Sequence, residues 1–365
     1  MLNSKDSLLY SFSLPYSVDK SKTLIKEQIK TSDRKALLPG SSIKGAIRSA
    51  LVYKALKTFD SKLVQQLLNG VENSDIQGLK RKLNSAKDLD RIKKTIADEL
   101  EHLLFYVGYN EKNKVKYSDE KCNILKALII SDTFNPVAEL NVIAINSYKK
   151  ASNNNKTGKS FDEQPLSLFE VIDSGSEFNC KIDFDITYLY YLYKNCNYLI
   201  GLKDKIQKVY GFDISKLNDN NLEEYKNKAI SYIREAIKEY STEIIKRDVE
   251  WLNKFKPDDI VSFKKEIKRI DELSKNKLLL RVGYGSGFHS TTALLGMIKN
   301  ENLKEFYKDL MKTFKLGIPI KKQKSTRLEQ NTLNIDEFPT SRRFASLKSQ
   351  NVSIIAPLGW VELIF

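Results

Sequence analysis

Residues 37–51 read LLPGSSIKGAIRSAL. Pro39 and Gly40 interrupt the preceding segment, and Ser41 or Ser42 then follows as a candidate N-cap. Apolar residues recur behind them at the three-and-four spacing of a buried helical stripe: Ile43, Ala46, Ile47, Ala50 and Leu51. The stretch therefore predicts an amphipathic helix from about residue 42 onward.

The other face of this helix carries two cations, Lys44 and Arg48. A helix start attracts anions because its backbone N–H groups are free and the helix dipole is positive there. The segment thus predicts a phosphate-backbone site, with an ordinary capped surface helix as the alternative. A nucleotide-hydrolysing P-loop is excluded because Ala46 and Ile47 stand where that motif needs Lys and Ser or Thr.

A second glycine-rich segment, LLLRVGYGSGFHSTT, spans residues 278–292. It predicts a strand at 278–282, a loop with glycines at 283, 285 and 287, and a helix running to 294. Closely spaced glycines allow close approach to a ligand, and a tight strand-to-helix turn is the alternative. Phe288 stands where a dinucleotide fingerprint needs its last glycine, which argues against hydride chemistry. His289 is a candidate general acid–base, and a structural histidine is the alternative.

Composition indicates a polyanionic partner, since the formal net charge is +15 and the pI is about 9.3. A general preference for Lys, Asn and Ile is the competing explanation. The three cysteines form no C-x-x-C pair, which argues against both a disulfide framework and a zinc site. No signal peptide or membrane-spanning run is evident. We therefore expect a cytoplasmic protein with no metal, no cofactor and no membrane contact.

The rest of the chain alternates short strands with helical blocks, which favours the α+β class. A half-buried antiparallel strand is predicted at 178–186, where apolar and polar residues alternate strictly. Five tyrosines follow it, at 188, 190, 191, 193 and 198, and are weighed as base-stacking groups and as core packing. The other expectations are an arm or strand at 7–18, a helical insertion at about 61–104 with turns near Asn69 and Asn84, strands at 126–131 and 140–145 joined by a turn at 132–136, a loop at 149–159, a helix at about 221–254 with its charges on solvated surface, and strands at 352–355 and 361–365.

Four motifs together resemble the RAMP superfamily of CRISPR-associated proteins: PGSSIKGAIR at 39–48, RVGYGSGF at 281–288, PTSRR at 339–343 and APLGWVEL at 356–363. They are most similar to the RAMP subunits that cap the crRNA 3′ end in type III-A (Csm) effector complexes. ALIISDTFNP at 127–136 and LFEVIDSGSEF at 168–178 match more weakly, in the same order. Only 38 residues precede Pro39, fewer than the resemblance implies, so either the first module is abbreviated or the start of the protein lies elsewhere.

The resemblance implies two ferredoxin-like (RRM-like) modules, at 1–165 with the insertion at about 61–104 and at 166–365 with an insertion at about 219–256. It implies a non-catalytic subunit that binds the 3′ region of crRNA, caps the backbone filament and supports crRNA maturation in antiviral defence. The implied partners are crRNA, the backbone RAMP subunit and other subunits of the complex; docking of accessory nucleases is left open.

By motif match, the residues assigned to RNA or subunit contact are Gly40, Ser41, Ser42, Lys44, Gly45, Arg48, Gly283, Gly285 and Gly287. Arg342 and Arg343 are added as phosphate clamps, with structural ion pairs as the alternative. Two enzymatic readings compete with this one. The first is a RAMP-type endoribonuclease that uses His289 and a nearby lysine, and the second is the target-cleaving backbone subunit, which would use a loop aspartate.

Overall fold

The computed structural model describes residues 25–364, apart from 84–88, 113, 118, 151–160, 164–166, 197, 255–260, 293, 314–340, 350 and 351. The helices are α1 (Gly40–Lys57), α2 (Ser61–Asn69), α3 (Leu79–Leu83), α4 (Leu89–Phe105), α5 (Ile186–Asn195), α6 (Leu202–Tyr210), α7 (Leu222–Lys254), α8 (Val261–Asn276), α9 (Phe288–Thr291), α10 (Leu294–Lys299) and α11 (Glu301–Thr313). Short 3-10 helices occupy Glu120–Cys122, Ile124–Ala127 and Ile214–Lys216.

The strands are β1 (Ile25–Lys26), β2 (Tyr109–Glu111), β3 (Lys114–Lys116), β4 (Leu128–Ile130), β5 (Phe134–Val137), β6 (Leu140–Lys150), β7 (Phe161–Glu163), β8 (Ser167–Ile172), β9 (Glu177–Asn179), β10 (Ile182–Phe184), β11 (Leu278–Arg281), β12 (Ser341–Ser349), β13 (Val352–Ala356) and β14 (Trp360–Leu363). Small sheets and many helices make this a mixed α+β protein, as the sequence predicts. The expectations for 7–18, Asn84 and most of 149–159 fall outside the described residues.

The largest sheet has the order β1-β8-β6-β12-β13, with β7 also paired to β6. β1 and β8 are parallel, while the other pairs in this sheet are antiparallel. Its strands come from both sides of residue 165. The division into modules at 1–165 and 166–365 stays a prediction, as does the ferredoxin-like topology of each.

Helix α1 lies at the centre of the main hydrophobic core. Ile43, Ile47, Ala50 and Leu51 are buried, which confirms the predicted apolar stripe. The helix packs against α7 and α10, and also contacts β4, α6, α9 and β11. Because the elements that α1 contacts extend from β4 to α10 along the chain, several distant segments of the core fix its position.

Two strand predictions are partly wrong. The alternating segment at 178–186 is antiparallel, but it divides into β9, paired with β5, and β10, paired with β4, and its last residue begins α5. The predicted turn at 132–136 contains most of β5, and the predicted strand at 126–131 begins in a 3-10 helix. The alternation of apolar and polar residues indicates which side of a segment is buried, but it does not indicate which strand pairs with that segment.

The helical predictions are closer to the structure. α7 covers the predicted 221–254 block, and its apolar face is buried along Tyr225, Ala229, Ile233 and Ile237. The insertion at 61–104 is helical, as α2, α3 and α4, and α2 ends at Asn69. Within the described ranges, no helix is both long and apolar enough to cross a membrane.

Candidate nucleic-acid interface

The start of α1 is held by the protein itself. Pro39 is the N-cap residue, and the Gly40 N–H donates to Oδ1 of Asp132 at 2.8 Å. The prediction that Ser41 or Ser42 caps the helix is wrong, because the helix begins one residue before them and the cap comes from a distant loop. The Asp132 carboxylate therefore supplies the anion for the first N–H of the predicted phosphate site.

Gly40 is required by packing inside the protein. It is buried, and a Cβ at this position would lie 2.4 Å from the carbonyl oxygen of Ser131. Such a contact is impossible without a backbone shift. Ser41 beside it is exposed and Ser42 is half-buried.

The two cations of α1 also have partners within the chain. Lys44 Nζ donates to the carbonyl oxygen of Leu128 at 2.6 Å, and burial lowers the pKa of Lys44, with a smaller contribution from Lys126. Arg48 forms an ion pair with Glu101 and keeps a partly exposed side chain. Lys44 therefore lies against β4, and the prediction that it lies on the exposed face of α1 is wrong.

Gly45 is different, because nothing within the described part of the chain requires a glycine there. It lies inside α1, where glycine costs about 0.5–1 kcal/mol relative to alanine. A Cβ at Gly45 would have no neighbour within 4 Å. The surface of α1 beside Ser41 and Gly45 is thus open to close approach from outside.

The glycine loop at 283–287 follows β11. Gly283, Gly285 and Gly287 all have positive φ, at 81°, 85° and 89°, so the backbone conformation alone favours glycine. A Cβ at Gly285 would contact the Leu358 side chain at 2.8 Å, whereas Gly283 and Gly287 face open space. The loop therefore combines the predicted strand-to-helix turn with two accessible glycines.

Tyr284 projects from this loop and is 56% exposed. Its ring stacks on Phe169 of β8, with ring centroids 4.8 Å apart and planes inclined by 23°. The Arg343 guanidinium lies 5.0 Å from the Tyr284 centroid, and Lys26 Nζ lies 5.3 Å from it. We call this group, Lys26, Phe169, Tyr284 and Arg343, the aromatic–cationic cluster.

The cluster brings together two segments that the sequence analysis assigns separately, the glycine loop and the exposed Arg343 of β12. Arg342 precedes it on β12 and pairs in register with Tyr148 of β6. Neither Lys26 nor Phe169 is predicted as a site residue from the sequence. Phe169 belongs to the weakly matching segment LFEVIDSGSEF, but only the fold places it against Tyr284, and no local signal marks Lys26.

A buried ion pair anchors the glycine loop to α7. Arg281 donates to Oδ2 of Asp248 at 3.0 Å and to the carbonyl oxygen of Leu358 at 2.9 Å. Asp248 is nearly fully buried, as are Glu243 and Arg247. The expectation that the charges of this helix lie on solvated surface is wrong for these three residues, which face the core.

Residues 25–38 connect the two glycine-containing surfaces. Lys30 Nζ lies 2.6 Å from the buried Glu170 carboxylate, which also accepts from the Gln28 N–H at 2.9 Å. Gln28 Nε2 in turn donates to the carbonyl oxygen of Leu37, two residues before the helix cap. The segment therefore links the sheet that carries the aromatic–cationic cluster to the start of α1.

His289 lies within the core at the start of α9 and is only 5% exposed. Its carbonyl oxygen accepts from the Tyr240 hydroxyl at 2.6 Å. Cys122, Cys180 and Cys196 are free thiols. Among the residues that the structure describes, no group of three or more His, Cys, Asp or Glu could hold a metal ion.

Fold and surface together define a mixed α+β protein with a cationic, glycine-rich face. A model of the RAMP superfamily matches residues 19–290. Since this match covers well over half of the sequence, the chain belongs to the RAMP superfamily. No curated protein of known function matches it.

Two solved structures have a similar fold. The first is a chain of the cryo-EM structure of a Csm–crRNA–target RNA ternary complex from a type III-A CRISPR-Cas system, with 21% identity, 94% of this chain and 77% of that chain covered, and a TM-score of 0.59. The second is the crystal structure of T. onnurineus Csm5, with 21% identity, coverage of 93% and 74%, and a TM-score of 0.52. At this identity, the likeness establishes a shared fold.

Proposed function

We propose that this protein is a non-catalytic RNA-binding subunit of a type III-A CRISPR-Cas interference complex. In this proposal it binds the 3′ region of crRNA, caps the filament of backbone RAMP subunits and supports crRNA maturation. Membership of the RAMP superfamily supports an RNA ligand, and the likeness to a chain of a Csm–crRNA complex and to Csm5 supports this type of assembly.

The observation that carries the proposal is the position of Tyr284 and Arg343 beside the open Gly283 and Gly287. A single-stranded guide held by its backbone needs cations, N–H donors and glycines that allow close approach. An exposed aromatic ring adds a platform for a base. The open surface of α1 at Ser41 and Gly45 offers a second contact for the RNA backbone. The partly exposed Arg48 lies on the same helix.

A non-catalytic role is supported by the burial of His289. A general acid or base has to come within hydrogen-bonding reach of the substrate, directly or through one water molecule. His289 is packed in the core below the glycine loop, so RNA lying on the loop would not reach its ring without rearrangement of α9.

The test is a titration of the isolated protein with single-stranded RNA at several salt concentrations. Binding should weaken steeply with salt and depend little on sequence. Arg343→Gln should weaken binding and lower the magnitude of the salt slope by about one. Arg269→Gln is the matched control, because Arg269 is an exposed arginine of α8 paired with Glu266. Equal binding by both variants and wild type would contradict the proposed surface.

Reconstitution with the backbone subunit and crRNA separates capping from catalysis. The wild-type protein should associate with the filament, and His289→Gln should leave guide length unchanged in the complexes that assemble. Accumulation of uncut precursor with this variant would favour the endoribonuclease reading instead.

A further inference from the structure

Four short strands form an antiparallel ribbon that continues the β6–β8 pair of the large sheet. β4 pairs with β10, and β5 pairs with β9. Between these pairs, the Ser131 N–H donates to the carbonyl oxygen of Lys181 at 3.0 Å. Where the ladder of β6 and β8 begins, the Asp173 N–H donates to the carbonyl oxygen of Glu139 at 3.0 Å. We call β4, β5, β9 and β10 together the ribbon.

The ribbon has one covered face and one face in solvent. Successive residues of a strand point to opposite faces, and directly paired residues share a face. Along 177–183, every second residue is exposed, beginning with Glu177, and the residues between them are partly buried. The inner face packs against the main core through Ile130, Cys180 and Ile182.

The outer face carries a row of apolar side chains. Ile129, Phe134 and Val137 each pair with an exposed residue of the opposite strand, so all three lie on this face. They are 49%, 41% and 73% exposed, and the described residues include only nine large apolar side chains exposed in this way. The solvated face of an antiparallel ladder is normally polar. Three such groups on one face therefore indicate a surface that another molecule covers.

The backbone of β5 places two of these side chains together. The register shifts between Phe134 and Val137, and Asn135 between them has a φ of 47°. An irregularity of this kind turns both flanking side chains to one face. Pro136 has no N–H to offer an added strand. The covering molecule therefore meets the ribbon through side chains.

The ribbon is acidic within a basic protein. Residues 128–139 and 173–185 contain six carboxylates and one lysine. Three further lysines lie next to them: Lys44, Lys126 and Lys226. Six carboxylates against four lysines leave a local charge of −2, whereas the whole chain carries +15. RNA phosphates are repelled by such a surface, and a basic protein surface is attracted to it.

Two carboxylates beside the apolar row are available to a partner. Glu139 and Glu177 are both exposed, and neither forms an ion pair among the described residues. A second copy docked through the same face about a two-fold axis would bring these like charges together. The charge therefore favours a different protein over self-association.

From this arrangement we infer that the outer face of the ribbon docks a protein subunit. Phe134 and Val137 fill apolar depressions on the partner, while Glu139 and Glu177 face its lysines or arginines. That the partner is the backbone RAMP subunit rests on the proposed function. Asp132 of the ribbon caps α1, so a subunit docked here lies beside the α1 surface proposed for RNA, which suits a subunit that holds the same guide.

The experiment measures binding of the full-length protein to the purified backbone subunit in the absence of RNA. Phe134→Thr with Val137→Thr should weaken binding by at least about 10-fold, because buried apolar anchors carry most of the affinity of an interface. Threonine keeps a high β-propensity, so the melting temperature should stay close to that of wild type. Ile364→Thr is the matched control, since Ile364 is 89% exposed and lies outside the ribbon.

A second pair of variants tests the charge without touching the apolar row. Glu139→Gln with Glu177→Gln should slow association at low salt and reduce its salt dependence, because charges at the rim of an interface act mainly on the association rate. Glu301→Gln of α11 is the control, as its side chain is 85% exposed. Faster association of the double variant would mean an acidic partner and would overturn the inference.

RNA titrations on the same preparations separate this inference from the proposed function. The ribbon variants should bind single-stranded RNA like wild type, and Arg343→Gln should bind the subunit like wild type. If the ribbon variants bind the subunit as tightly as wild type, the inference is wrong and the proposed function stands. If wild type does not bind the subunit even with crRNA, the proposed function fails, and with it the partner named here. Weaker RNA binding by the ribbon variants, or self-association of wild type that they abolish, would also overturn the inference.

Discussion

Individual glycines in this protein answer different physical demands. A Cβ at Gly40 would collide with the carbonyl oxygen of Ser131. A Cβ at Gly285 would collide with the Leu358 side chain, and one at Gly296 of α10 with Leu56 of α1. These glycines serve packing within the chain. Among these examples, only Gly45 lies in a helix interior with open space around its Cα. Its cost in helix stability is therefore not explained by packing within the described residues.

Gly45→Ala is therefore expected to stabilise the protein while weakening RNA binding. The free energy of unfolding should rise by about 0.5–1 kcal/mol, since alanine is the better helix former. The added methyl group would stand in the path of an approaching RNA backbone. Denaturant unfolding and an RNA titration on the same preparation measure the two effects.

The matched control is Gly40→Ala, in the first turn of the same helix. Its methyl group would overlap the Ser131 backbone, so we expect a loss of about 1–3 kcal/mol in the free energy of unfolding. Should Gly45→Ala stabilise α1 and leave RNA affinity intact, the α1 surface would have to be removed from the proposed RNA contacts.

At the scale of elements, the end of α4 depends on a lysine from α6. Lys205 Nζ donates to the carbonyl oxygens of His102, Leu103 and Tyr106 at 3.0, 2.7 and 2.5 Å, and it lies 4.6 Å from the centroid of Tyr117. These carbonyls end the helix and have no partner within it. One side chain thus joins the helical insertion to the core.

Lys205→Met should destabilise the protein by about 1–3 kcal/mol, because the carbonyls lose their donor. Burial lowers the pKa of Lys205 to about 7. Between this value and the ordinary lysine pKa, the unfolded state binds more protons than the folded state, so wild-type stability should rise with pH. The difference in unfolding free energy between wild type and variant, measured from pH 6 to 9, should therefore grow. A difference that stays constant over this range would mean that the carbonyls hold the ammonium and keep its pKa at or above the ordinary lysine value.

The elements that the sequence predicts well are those set by local periodicity. The three-and-four spacing in α1 and α7 identifies their buried faces, because an apolar stripe is buried regardless of which element packs against it. The glycine loop is likewise visible as a strand, a turn and a helix start. In each case the signal lies within about one element.

What the sequence does not predict depends on contacts between distant segments. The cap of α1 comes from Asp132, the partner of Lys44 is a carbonyl of β4, and Asp248 is buried because Arg281 lies beside it. The aromatic–cationic cluster has the same origin. Its members come from β1, β8, the glycine loop and β12, and only the order of strands in the sheet brings them together.

At the scale of the whole molecule, the sheet and the core both cross residue 165. β6 lies between β8 and β12, and its register runs from Ile143 opposite Phe169 to Ser147 opposite Arg343. On the other side, α1 packs against α7 and α10. The surface that carries the proposed RNA site is therefore built from both halves of the chain.

We expect the two halves to unfold as one cooperative unit for this reason. Segments 1–165 and 166–365, expressed separately, should each lack a sharp thermal transition. The first loses the partners of Ile47 and Leu51 on α7 and α10, and the second loses the strand that joins β8 to β12.

Ile47 is fully buried, so Ile47→Asp in the intact chain places an unpaired carboxylate in the shared core at a cost of several kcal/mol. Hydrogen exchange should then show lost protection in α7 and α10 as well as in α1. Protection lost in α1 alone, or a sharp transition from either segment by itself, would mean that the modules are stable separately and that the RNA surface assembles from two independent units.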